Sequence, residues 1–354
     1  MYAVIMAGGI GKRFWPRSRR NRPKQLIDIV GSASMLQLTW ERLKLVTDPR
    51  KIYIVAGQDL AKAILENLPD FSEKNLIIEP SGKNTAPCIG LTATIIHEKD
   101  PNAVMGVFPS DHLIQNQTEF KQAIDEGLRY ARDHVALVTF GIHPTRPATG
   151  YGYIQYDPRN PVQDTLFRVK TFAEKPNIET ARRFLASGEF LWNSGMFIWK
   201  TSSILSALKM FLPELHESLQ LISRSIGQRN YNAVLKQEWA TISSTSIDYG
   251  VMEKAKNVFV VKGQFDWSDV GSWDSVFEIK DKDANGNVLT GKIMTLDTTN
   301  CLIHSRRDLV ATIGVKDLII IKSKGALLIV SRHDSERVKE LVDELERTGQ
   351  TEHL

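Results

Sequence analysis

Cysteine is scarce: Cys88 and Cys301 are the only two in 354 residues, and they lie far apart, in apolar surroundings, with no CxxC pair. A disulfide scaffold or a zinc site therefore finds no support, and both thiols are expected to be reduced and in the core. Long apolar runs are also missing. No stretch approaches the roughly 20 residues of a membrane span, and the N-terminal apolar run is too short and too soon followed by charge for a secretory signal. The expectation is a cytoplasmic protein with no membrane partner, in which Asn116-Gln117-Thr118 matches a glycosylation acceptor by accident. Charge of one sign is not in large excess, the net value being +4, and with 42% hydrophobic and 24% charged residues the chain can bury one large domain plus a smaller one.

The common phosphate loops are absent as well. A dinucleotide-binding G-x-G-x-x-G from Gly9 would need glycine where Phe14 stands. A P-loop ending at Gly11-Lys12 would need glycine at Met6 and a hydroxyl residue at Arg13. What is present is a short apolar run, Ala3–Met6, feeding Ala7-Gly8-Gly9-Ile10-Gly11-Lys12-Arg13, with Pro23-Lys24-Gln25 soon after. A strand followed by a glycine turn brings backbone N–H groups close to phosphate oxygens, and Arg13 and Lys24 can neutralise their charge; taken alone, such a turn also serves as a plain strand-helix connection. Arg17, Arg19, Arg20 and Arg22 crowd the same segment. A nucleic-acid patch or a solvated basic surface would not explain why they follow a glycine loop, whereas triphosphate binding explains both features.

From Met1 to about Val270 strand-like and helix-like segments alternate, the pattern of an α/β sheet with helices on both faces. Strands are predicted at Ala3–Met6, Lys51–Ala56, Asn75–Glu79, Ala103–Phe108 and Ala136–Gly141, with helices at Ala86–His97 and Glu119–Arg132. Ligands of such sheets gather beyond the carboxyl ends of the strands, so Gly8-Gly9, Glu79-Pro80-Ser81-Gly82 and Pro109-Ser110-Asp111 should share one crevice. From about Asn285, apolar runs at Cys301–Ile303, Val310–Ile313, Leu318–Ile321 and Leu327–Val330 recur every nine residues or so, which suggests a small β-roll or partial β-helix. Asp334–Arg347 then reads as an amphipathic helix, capped by Asp334/Ser335, with Val338, Leu341, Val342 and Leu345 on one stripe. The expected domains are 1–275 and 285–354, the second an association and support element.

The ordered motifs Gly8-Gly9-Ile10-Gly11-Lys12-Arg13-Phe14-Trp15-Pro16, Pro23-Lys24-Gln25, Glu79-Pro80 with Asn84-Thr85-Ala86-Pro87, Pro109-Ser110-Asp111-His112, Gly150-Tyr151-Gly152, Glu174-Lys175-Pro176, Trp192–Phe197, Ser246–Glu253 and Trp267–Trp273 resemble those of mannose-1-phosphate guanylyltransferases. The resemblance spans essentially the whole chain. The glycine loop, Glu174-Lys175-Pro176 and the Asn193 strand are similar to sugar-1-phosphate nucleotidyltransferases in general; Pro23-Lys24-Gln25, Asn84–Pro87 and Trp267–Trp273 resemble the mannose/guanine branch. Phe14 in place of a frequent leucine, and Arg17-Ser18-Arg19 in place of Leu-Ser-Arg, are small departures. The end at Leu354 leaves no room for the isomerase domain of longer relatives, so bifunctionality is not expected.

The resemblance implies a Rossmann-like (GT-A-like) mixed sheet flanked by helices, and guanylyl transfer from GTP to mannose 1-phosphate with release of GDP-mannose and pyrophosphate. By the same resemblance Gly8, Gly9 and Gly11 supply close backbone approach, Arg13 and Lys24 bind the triphosphate, and Asp111 and Asp269 hold Mg²⁺. Glu79, Pro80, Asn84 and Thr85 would line the nucleotide pocket; Glu174 and Asn193 would hold sugar hydroxyls, Lys175 the sugar phosphate, and Gly150 would admit the hexose. His112 is read as packing, since phosphoryl transfer of this kind needs no general base. Rival readings are a nucleotidyltransferase for another hexose 1-phosphate and base, and a non-catalytic nucleotide-sugar sensor. A nucleic-acid partner is not expected, and the sequence leaves the oligomeric state open, a homodimer among the possibilities.

Overall fold

Tyr2–Met6 (β1) is apolar without interruption because both of its faces are covered: Ala3 and Ile5 enter one core, and Val4 the other. In the computed structural model, which describes residues 1–9 and 11–354, β1 is the third strand of a nine-stranded mixed sheet. Ile10, in the glycine turn, lies outside the described residues. The other strands of that sheet are β2 (Ile52–Gly57), β3 (Leu76–Glu79), β4 (Val104–Pro109), β6 (Leu137–Ile142), β7 (Tyr153–Gln163), β8 (Leu166–Ala173), β9 (Phe190–Lys200) and β10 (Val258–Lys262), in the order β3-β2-β1-β4-β9-β6-β10-β8-β7. A separate ladder pairs β5 (Leu113–Ile114) with β11 (Trp267–Ser268).

Helices cover both faces. On one, Met35–Lys44 and Gln117–Asp133 contribute Leu36, Trp40, Phe120 and Ile124 to the core. On the other, Thr85–Lys99, Thr201–Phe211 and Pro213–Ser225 contribute Ile89, Leu91, Ile204, Leu208 and Leu219. Strands β3, β2, β1 and β4 run parallel, so their carboxyl ends, carrying Glu79, the glycine loop and Pro109-Ser110-Asp111, open on the same edge.

The C-terminal part is a four-stranded roll of β12 (Val288–Leu296), β13 (Leu302–Ile313), β14 (Leu318–Ser323) and β15 (Ala326–Ser331); the first three are parallel and the last is antiparallel. Two predicted runs, Cys301–Ile303 and Val310–Ile313, belong largely to the single strand β13, and β12 was not foreseen. Bulky residues alternate poorly in β12, whose burial is interrupted by polar and glycine positions, so it carries little periodic signal. The terminal helix also differs: Arg332–Arg337 is a 3₁₀ segment and the α-helix proper is Val338–Arg347. Ser335 bonds to Ser272 (3.2 Å) and Asp334 pairs with Arg337 (3.5 Å), so neither caps the helix as predicted.

Val338 and Val342 from that helix are buried with Phe14, Trp15, Val270, Trp273, Leu302 and Ile319 in one cluster that joins the roll to the glycine-loop region. Leu341 of the predicted stripe is instead 42% exposed. Phe14 meets Trp273 edge-on at 5.2 Å, and the Trp273 indole N–H donates to the Trp15 carbonyl (3.1 Å).

Candidate active site

The glycine turn leaves β1 and is held in place from outside. Gln25 donates to the carbonyls of Ala7 (2.9 Å) and Gly9 (3.2 Å), fixing the turn against Pro23-Lys24-Gln25. Gly11 adopts φ +68°, and a Cβ there would lie 2.4 Å from Lys24 Cβ, so glycine is required on both counts. At Gly8 and Gly9 the space where a side chain would go is open, which leaves the backbone accessible to a ligand.

The buried Lys24 ammonium donates to Asp111 Oδ2 (2.7 Å) and to the Asp269 carbonyl (2.6 Å), with the Phe14 ring 5.5 Å away. Asp111 and Asp269 meet because of the small β5/β11 ladder. Its register pairs Ser268 with Leu113, and continuing that antiparallel register sets Asp269 opposite the residues just before Leu113, where Asp111 stands. Burial, the largest single effect, would raise the Asp111 carboxyl, but the Lys24 charge, the neighbouring His112 and the hydrogen bonds to the carboxylate together outweigh it and hold the group below the usual carboxylate range. His112 is pushed down to about 4, chiefly by burial, and its neutral ring accepts from the Trp267 indole N–H (3.2 Å). Gly11, Lys12, Arg13, Lys24, Asp111, His112, Asp269 and Lys339 line a cleft of about 370 Å³. Of the predicted triphosphate and metal residues, Arg13, Lys24, Asp111 and Asp269 therefore share one space.

The Tyr151 hydroxyl donates to Asp269 Oδ1 (2.7 Å) and its ring packs on Trp192 and Trp267, at 4.9 and 5.4 Å, which ties the acid pair to the β7–β9 region. There the ladder brings Gly152, Glu174 and Asn193 together: the Asn193 N–H bonds to the Gly152 carbonyl (2.8 Å), and β8 ends one residue before Glu174. A Cβ on Gly152 would come 2.3 Å from Glu174 Oε2. Gly150, predicted to admit the hexose, is exposed and has nothing near, so the close-packed glycine of this motif is Gly152. Glu174 Oε1 pairs with Lys175 (2.9 Å), while Glu174 Oε2 is buried with no partner among the described residues.

Asn193 donates to Asp248 Oδ1 (2.9 Å), a residue in the π-helical turn Asp248–Met252 to which the sequence motif gave no role. Burial, then the nearby Glu174 charge, pushes the Asp248 carboxyl up to about 6. On the far side of the glycine loop, Glu79 ends β3, buried, with Oε1 unpartnered among the described residues and its carboxyl raised by burial. Asn84, at φ +69°, caps the helix Thr85–Lys99 by accepting from the Thr85 N–H (2.8 Å), and Thr85 accepts from the Ile247 N–H (2.8 Å). Pro80 is exposed beside them. Because β3 and β1 are two strands apart, this loop stands roughly 9–10 Å from the glycine turn, the reach of a base from its own phosphates.

The basic cluster does not converge on the cleft as a set. Arg17 pairs with Asp28 (2.5 Å), Arg19 donates to the Pro16 carbonyl (3.1 Å) and lies over Trp15, and Arg20 pairs with Glu346 (3.2 Å). Arg17 and Arg19 brace the loop segment locally and Arg20 ties it to the C-terminal helix, so the reading that assigned the whole cluster to triphosphate was too broad.

A glycine turn and buried lysine beside two carboxylates, tied through Tyr151 to the Glu174/Asn193 cluster, stand in a fold whose residues 2–286 match the nucleotidyl transferase family, to which the chain belongs. Residues 291–345 match the MannoseP isomerase/GMP-like β-helix domain. Among curated relatives, the mannose-1-phosphate guanylyltransferases of Salmonella montevideo and Escherichia coli are 38% and 40% identical, each over 99% of this chain and 75% of the relative. A crystal structure from Thermus thermophilus, described as mannose-1-phosphate geranyltransferase, superposes with a TM-score of 0.87 at 32% identity, covering 98% of this chain and 99% of that one.

Proposed function

We infer that the chain transfers GMP from GTP to α-D-mannose 1-phosphate, giving GDP-mannose and pyrophosphate. A phosphate oxygen of the sugar phosphate attacks the α-phosphorus in line; the bond from that phosphorus to the α–β bridging oxygen breaks, and its electron pair leaves with pyrophosphate. Both reactants are anions, so the work of the site is to cancel repulsion and align oxygens. The observation that carries this reading is the convergence of Arg13, Lys24, Asp111 and Asp269 on one cleft, with Tyr151 linking Asp269 to the side of the Glu174/Asn193 cluster.

In this reading the Gly8, Gly9 and Gly11 backbone and Arg13 approach the triphosphate, and Lys24 orients Asp111 while facing the departing pyrophosphate. Glu79, Pro80, Asn84 and Thr85 line the base and ribose side. Glu174 and Asn193 accept and donate hydrogen bonds to hexose hydroxyls, Lys175 meets the sugar phosphate, and Gly150 lies at the mouth. Nucleotidyltransfer of this family uses a divalent metal, and the donor set suits Mg²⁺: two carboxylates each keep an oxygen beyond their contacts with Lys24 and Tyr151. Among the described residues no third side-chain ligand joins them, so phosphate and water oxygens would complete the shell. When bound there, the ion supplies charge stabilisation to the transferring phosphoryl group.

We further propose domains at 1–275 and 285–354, a cytoplasmic location, and a homodimer. No helix is long and apolar enough to cross a membrane among the described residues. The dimer reading rests on Met294, Leu296, Leu309, Ile313 and Ile329, all more than half exposed on the roll, an apolar set that a second copy would cover; a monomer mass by light scattering would remove it. The activity test is pyrophosphate release with Mg²⁺ across panels of nucleoside triphosphates and hexose 1-phosphates. Turnover confined to GTP and mannose 1-phosphate is expected. Preference for another pair would move the assignment to a sister activity, and tight nucleotide-sugar binding without turnover to a sensor.

A further inference from the structure

The cations that the glycine loop itself could offer a triphosphate are largely engaged. Lys12 is clamped by two carboxylates of the C-terminal helix, Asp343 at 2.7 Å and Glu346 at 2.8 Å, and Glu346 also holds Arg20. Trp15 adds a bond from its indole N–H to the His353 carbonyl (2.8 Å), and Val338 and Val342 are buried under Phe14 and Trp273. The helix is therefore fixed on the loop both by charge and by packing, from adjoining faces. That clamp fixes the orientation of its first turn. Lys339, exposed and in no ion pair among the described residues, lines the same cleft as Arg13, Lys24, Asp111 and Asp269. It is the one residue of the roll and its helix to do so among those lining that cleft.

We propose that Lys339 binds the β- and γ-phosphates of the incoming triphosphate and the pyrophosphate that leaves, so that the C-terminal helix is a wall of the active site and not only a support. The proposal rests on the guanylyltransferase reading for the identity of the triphosphate. Lys24 is already satisfied by Asp111 and the Asp269 carbonyl, which leaves Arg13 and Lys339 as the cations of the cleft that a polyanion can recruit without first breaking an ion pair. Lys12 lines the cleft too, but its two carboxylate partners neutralise it and, in doing so, fix the helix that carries Lys339.

The test uses the full chain with Lys339→Gln and Lys339→Arg. The Gln variant is expected to raise the KM for GTP, and in the reverse direction for pyrophosphate, about tenfold, with the KM for mannose 1-phosphate within twofold of the parent. Arg, which keeps the charge, is expected to restore most of the loss. Equal GTP and pyrophosphate KM values in the parent and Gln proteins would overturn the proposal, as would an equal rise in all three constants, which a merely structural role would give. Should the parent protein show no guanylyl transfer, the activity reading fails, yet calorimetric titration with magnesium pyrophosphate still decides this point. A tenfold loss of affinity in Lys339→Gln at an unchanged melting temperature upholds the proposal, and equal affinity overturns it.

Discussion

The glycine-loop side of the site gathers Arg13, Lys24 and Lys339 from the N-terminal loop and the C-terminal helix, whereas the β7–β9 side gathers Glu174, Asp248 and Glu253 from the sheet and its connections alone. The first is cationic and closed by a helix that arrives more than 300 residues later in sequence. The second is acidic, and strand ends and register set much of it, Gly152 and Asn193 by a backbone bond between them and Glu174 by the end of β8, while the π-helical turn brings in Asp248 and Glu253. The difference follows from what each end would hold. Phosphates need charge, which can be brought by flexible side chains from any direction; hydroxyl groups need donors and acceptors at fixed angles, which a sheet supplies more rigidly. Tyr151 connects the two, with its hydroxyl on Asp269 and its ring on Trp192.

The strongest way to break the comparison is to remove charge where the two ends meet. Asp111→Asn and Asp269→Asn should each lower kcat roughly a hundredfold or more, because a metal-stabilised phosphoryl group loses several kcal/mol of assistance. If both serve one ion, the double variant should be scarcely worse than the poorer single one. Near-normal Mg²⁺-dependent turnover in either single variant would return that aspartate to a turn-forming role. Circular dichroism should show an intact fold, since asparagine still accepts from the Lys24 ammonium or the Tyr151 hydroxyl.

A smaller effect should separate the ends. Glu174→Gln and Asn193→Ala are expected to cost about 1–3 kcal/mol in use of mannose 1-phosphate, by leaving hydrogen-bonding groups unpaired, and little in GTP binding. Loss of GTP affinity with an unaltered KM for the sugar phosphate would reverse the assignment of the two ends. The Asn193 result has a second route, because its amide also holds Asp248 and its carbonyl oxygen accepts from the Thr139 hydroxyl (3.1 Å).

The mixed helix-flanked sheet was legible in the sequence because β1, β2 and β4 are continuous apolar runs buried on both faces and each ends at a turn signal. The proximity of Asp111 and Asp269 was legible only through motif resemblance; the two-residue strands that create it are too short to carry periodicity. Lys339 was invisible for a different reason. It stands in a helix whose apolar stripe says only that something is buried, and its neighbours Glu340, Asp343 and Glu346 read as an ordinary solvated face. The over-assignment of Arg17, Arg19 and Arg20 has the same origin: a run of charges gives no sign of which carboxylate or carbonyl each will find. Asp248 lies inside a recognised motif, but its raised carboxyl depends on Glu174, 74 residues away in sequence.

The finest distinction between the ends concerns pH. Asp248 is raised to about 6, by burial first and the Glu174 charge second, so it carries its charge above that value and loses it below. For stability the sign is that of a carboxyl raised above its unfolded value: protonation favours the folded state, so this group's contribution is fully present at low pH and is lost as pH rises through about 6. For the sugar end the sign is opposite, because the ionised Asp248 accepts from the Asn193 amide and holds it toward the hexose. The KM for mannose 1-phosphate should therefore rise a few-fold between pH 7 and pH 5 with a midpoint near 6, while the GTP KM changes less. A phosphate monoester also titrates near pH 6, so the substrate alone produces a similar trend. Asp248→Asn separates the two: the substrate's own titration persists, and the part due to Asp248 disappears, flattening the profile. An unchanged profile in that variant would assign the whole pH dependence to the ligand and leave Asp248 a structural partner of Asn193.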